Sequence, residues 1–152
     1  MFDTINGLPV HALVVHGVVV LLPLAVLGTL AIAARPAWRR SYGLLVASIT
    51  VVATALVPVA TQSGLKLATH VGTPEHHKQL GQQLIWFALP MLVLVVVLVV
   101  LDRRPSATAA VNVVAGLAVV AAVATGVQVY RVGEAGSHAV WDGKTDQTIS
   151  SR

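Results

Sequence analysis

The sequence predicts an all-α membrane protein, an antiparallel bundle of four transmembrane helices with both termini outside. Three observations predict it. First, 56% of the 152 residues are hydrophobic and only 11% charged, against about 25% charged in an ordinary soluble domain. Second, four apolar runs are each long enough to cross a hydrocarbon core of about 30 Å, which takes about 20 helical residues. Third, the basic residues that join these runs gather on one side.

The N-terminus, "MFDTINGLPV", is acidic and lacks the positive n-region of a signal peptide. The first run, roughly 9–34, therefore reads as a retained transmembrane helix. The others are roughly 42–62, 80–101 and 107–130, with 131–152 as a polar external tail whose last residues read as disordered. The whole chain reads as one integral membrane domain.

The joints explain the turns. "ARPAWRRSYG" carries Arg35, Arg39 and Arg40, and Pro36 is expected to break the helix there. "DRRPSAT" carries Arg103 and Arg104, then Pro105 and an N-cap at Ser106. Together these two loops hold five Arg against one Asp, the whole net charge of +4. The positive-inside rule places them in the cytoplasm and the termini and the 62–79 loop outside. Helix 3 is expected to begin in "GTPEHHKQL", with Thr73 as N-cap, Pro74 at the first helical position and Glu75 facing the positive dipole end. Helix 4 carries Ala118, Ala122 and Gly126 at four-residue spacing, a ladder that lets transmembrane backbones approach.

Composition also excludes. With no cysteine, thiolate metal sites, covalent c-type haem and a cysteine nucleophile are absent. The basic residues form no stripe of the kind that binds nucleic acid. No carboxylate lies within a span, which argues against an ion pump built on acidic relays. Four short spans without an inverted repeat also make a transporter the weaker reading.

The six histidines, His11, His16, His70, His76, His77 and His138, all fall at or beyond the outer helix ends. Counted from Arg35 and Asp102 at about 1.5 Å per residue, His11 and His77 both stand about 36–38 Å above the inner boundary. His16 lies about 7.5 Å deeper and about 140° round the helix from His11, so it is expected to reach into the bundle beside Gly17. Neutral imidazoles on different helices at one end suit a non-covalent b-type haem, with His11, His16 and His77 as candidate ligands. A zinc, copper or nickel ion held by His11, His16, His76 and His77, aided by Glu75 or His138, is the variant. The plainer alternative is a cofactor-free structural or accessory subunit in which His16 only bonds Thr61, Gln62 or Gln128. Either way an electron-transfer or accessory subunit is expected rather than a self-contained catalyst.

The run "LPVHALVVHGVVVLLPLA", the later "HHKQLG" and the final "VYRVGEAGSHAVW" resemble the bacterial four-span family catalogued as domain of unknown function 2231. The resemblance covers nearly the whole chain. His11 and His16 match its first motif, and His77 with Lys78 its second, while a glycine-rich turn is implied after helix 4. Where the family often has an aromatic and a proline after the second His, Gly17 and Val18 stand here, and proline comes at Pro23. The fusion of some relatives to c-type cytochrome or Rieske domains implies electron-transfer company. The implied setting is a bacterial plasma membrane, with the lipid bilayer, a membrane redox complex or external electron carrier, and a homo-oligomer as partners.

Overall fold

The computed structural model describes residues 4–5, 8–71, 75–104 and 108–149, with side chains described for 13–64, 77–104 and 108–137. A two-residue ladder comes first: β1 (Thr4–Ile5) pairs antiparallel with β2 (Leu8–Pro9). Four helices follow: α1 (Val10–Ala34), α2 (Pro36–Val71), α3 (Glu75–Leu101) and α4 (Thr108–Ile149). Each is long and apolar enough to cross a membrane. They pack in a ring, α1 on α2, α2 on α3, α3 on α4 and α4 back on α1. Pro23, Pro58 and Pro90 lie inside α1, α2 and α3.

Three boundaries differ from the sequence reading, and the first is that α2 runs on to Val71, so that half of the expected 62–79 loop is helix. As expected, α1 ends just before Pro36, but Pro36 also opens α2, six residues before the expected start of that span. At the first helical position its missing N–H is one that a helix leaves unbonded anyway, and its fixed φ suits the turn. Helix 4 does not stop near residue 130, and no glycine-rich turn follows it. It continues to Ile149 through Gly133 and Gly136. Each interior glycine costs a helix about 1 kcal/mol relative to alanine; at Gly136 packing against His77 of α3 offsets this, as described below. The N-caps expected at Thr73 and Ser106 lie outside the described residues.

Packing follows from solvation by lipid. Leu22, Ile32, Met91, Val95 and Leu98 are fully buried, while Leu24, Leu27, Val93 and Leu117 are exposed on the outer faces. Lipid is as apolar as leucine, so contact between helices rests on close fit and interhelical hydrogen bonds. Small residues accordingly line the inside: Ala25, Ala53, Ala88, Ala118 and Ala122 are all buried. The ladder on α4 faces α1, since a Cβ at Gly126 would stand 3.5 Å from Val26 Cγ1.

One end of the bundle is closed by Arg39, buried near the start of α2. Its Nε and Nη2 donate to the Ile32 and Ala33 carbonyls in the last turn of α1, at 3.0 and 3.1 Å. Its Nη1 meets Asp102 Oδ1 at 3.1 Å. The negative end of the α1 dipole and a carboxylate just beyond α3 thus share one guanidinium. Arg40 reaches the other oxygen of Asp102 only at 3.8 Å and is largely exposed.

Candidate functional site

The opposite end carries the histidines. Below them, α3 is pinned to its neighbours by side chains that reach its backbone. Thr125 Oγ1 shares its proton between Ala121 O (2.8 Å) and Phe87 O (3.0 Å). Phe87 adjoins Trp86, whose carbonyl Pro90 cannot serve with an N–H. Gln128, fully buried, donates from Nε2 to Leu80 O at 3.2 Å. Thr61 donates to Val57 O at 3.0 Å and approaches Gly81 O at 3.5 Å. Gln128 and Thr61, expected as partners of His16, both donate to backbone carbonyls.

Above this layer the half-buried ring of His77 lies against α4. A Cβ at Gly136 would stand 3.2 Å from His77 Cε1, 3.5 Å from Nδ1 and 4.0 Å from Nε2. The ring occupies the space that a side chain at position 136 would fill. Its Nδ1 is enclosed and, among the described residues, has no hydrogen-bond partner. An unpaired, desolvated polar atom costs about 1–3 kcal/mol, so this nitrogen marks a place where something is expected to bind or to move.

His16 is not where the sequence put it. Val18, Leu22, Ala25 and Thr29 form the buried line of α1, and a residue two positions before Val18 falls on the opposite side. His16 is therefore exposed, in a stripe with Leu13, Val20, Leu24 and Leu27. Gly17, not His16, meets the bundle: a Cβ there would stand 3.2 Å from Leu56 Cδ1. The structure does not unite His16 with His77, which faces α4 from the helix diagonally across the ring. His11 sits in the first turn of α1 and His76 in that of α3. Their side chains, like those of His70 and His138, lie outside those described. Among the described residues no three His, Cys, Asp or Glu gather as a metal-binding group.

Gly136 is the member of this site that sequence reasoning missed. Its signal was present in the alternation of small residues Gly133, Gly136 and Ser137, which reads equally as a turn.

No curated protein and no solved structure matches the chain. A family model described as "Predicted membrane protein (DUF2231)" matches residues 7–148, nearly the span over which the histidine motifs and the four helices extend. The chain belongs to this family of multi-pass membrane proteins.

Proposed function

We propose that this membrane protein binds a transition-metal ion at its histidine-bearing end, with His77 as first ligand, and serves electron transfer there. The observation that carries the reading is the His77 ring, seated on Gly136 with Nδ1 enclosed and, among the described residues, unpaired. A metal-binding imidazole typically coordinates through one nitrogen and donates its other N–H to a carbonyl, carboxylate or water. Coordination through Nε2 would fix the proton on Nδ1, the nitrogen turned toward Gly136. His11 and His76, in the first turns of α1 and α3, are the further candidate ligands. Imidazole suits copper, nickel and zinc; electron transfer requires the one among them that cycles readily, copper.

A haem held between His16 and His77 does not fit the arrangement. One ring faces outward from α1 while the other faces α4, and Leu22, Leu80, Leu84 and Gln128 fill the interior near that end. A pairing of His77 with His11 lies outside the described side chains, and the favoured reading is a metal ion on His77.

The test is metal analysis with an absorption spectrum on protein purified in mild detergent and loaded with copper. Bound copper in stoichiometric amount, lost in His77→Ala and kept in His16→Ala, is the expected result. A native assembly that takes up no copper, or that keeps it in His77→Ala, overturns the proposal. A second reading, a cofactor-free subunit of a larger membrane assembly, is favoured by His16 itself. A polar ring on an otherwise apolar exposed stripe suits a face covered by a partner's helix.

A further inference from the structure

Near the arginine end, the seam between α1 and α2 opens outward as an apolar cavity of about 420 Å³. Leu24, Gly28 and Ile32 of α1 and Trp38, Tyr42 and Leu45 of α2 line it. Its rim faces the bilayer, because Leu24, Trp38, Tyr42 and Leu45 are all exposed. Gly28 keeps the floor thin: a Cβ there would stand 3.0 Å from Val46 Cγ2.

Arg35 stands over this rim. Its guanidinium carbon lies 4.5 Å from the centre of the Trp38 ring, and it makes no ion pair among the described residues. Arg39 is committed to Asp102 and two carbonyls, so the exposed Arg35 is the cation left facing the cavity mouth.

We propose that this cavity is a binding site for one anionic phospholipid, its acyl chain along the α1–α2 seam and its phosphate against Arg35. The occupant enters from the lipid side and must be apolar along its length. From Trp38 to Ile49 the wall rises about 16 Å, close to half of a hydrocarbon core of about 30 Å, which is the depth of one leaflet. Trp38 and Tyr42 then sit at headgroup level, where amphipathic rings are favoured. A cation at the mouth of a pocket between transmembrane helices selects anionic over zwitterionic headgroups.

The probe is Trp38 fluorescence in a Trp86→Phe, Trp141→Phe background, in phosphatidylcholine vesicles doped with acyl-brominated lipid. Brominated phosphatidylglycerol is expected to quench Trp38 with an apparent affinity about five-fold above that of brominated phosphatidylcholine, as one cation–headgroup contact would give. Arg35→Gln should bring that ratio to about one. Because the ratio compares two lipids on one protein, any change in Trp38 emission caused by losing the stacked cation cancels. Equal quenching by both lipids with Arg35 in place overturns the proposal, as does a preference that survives Arg35→Gln.

Discussion

Arg39→Ala is expected to destabilise the bundle by about 3–5 kcal/mol, the range for removing one partner of a buried charge pair. The side chains of Arg39 and Asp102 are only 4% and 11% exposed. Truncation leaves the carboxylate with Arg40 alone, at 3.8 Å and 81% exposed, and strips the donors from Ile32 O and Ala33 O. Lysine should recover only part of the loss, since it lacks the planar fork that serves three acceptors at once. Adding Asp102→Asn to Arg39→Ala removes the stranded charge but not the exposed carbonyls. The double variant should therefore fall between Arg39→Ala and the native protein. Denaturant unfolding in detergent reads all three, and an unchanged midpoint in Arg39→Ala would refute the clamp.

The second large effect is expected at Gly43, where α2 meets α3. Gly43 is buried, and a Cβ there would already stand 3.0 Å from Val99 Cγ2. Leucine at this position must push the helices apart or force Val99 from its rotamer, a cost of about 1–3 kcal/mol. In lipid there is little hydrophobic gain to offset it, because separated helices remain solvated by acyl chains. Gly116 provides the control, being exposed with nothing within 4 Å of its Cβ position. Gly116→Leu should leave stability unchanged or raise it slightly, by removing a helical glycine worth about 1 kcal/mol. Equal losses in both variants would show that the α2–α3 seam is not closely packed.

These positions show what the sequence can and cannot disclose. The four spans are legible because a bilayer demands long apolar runs, and the turns because arginine and proline interrupt them. The Ala118–Ala122–Gly126 ladder is legible because small residues among large ones have few other uses in a membrane helix. The facing of His16 was not legible. α1 is apolar on every side, so its sequence has no polar face from which to read orientation. Nor do three arginines in one loop reveal that Arg39 alone turns inward, because that depends on where the last carbonyls of α1 and Asp102 meet. The continuation of α4 past residue 130 was not legible either, because Gly133 and Gly136 also suit a turn and the contact of Gly136 with His77 is made between helices. His77 was recognisable as a candidate; its seat on Gly136 was not, since the same glycines also spell a turn.

The ring order of the helices bears on how the protein can be assembled. Every strong contact joins either consecutive helices or the first and last. Each half of the chain is thus a self-contained helical hairpin that can enter the bilayer as a unit, leaving two seams, α2–α3 and α1–α4, to form by lateral association. A gene cut in the 72–74 joint and expressed as two polypeptides should then yield halves that co-purify. Gly43→Leu, which damages one of those two seams, should weaken that pairing.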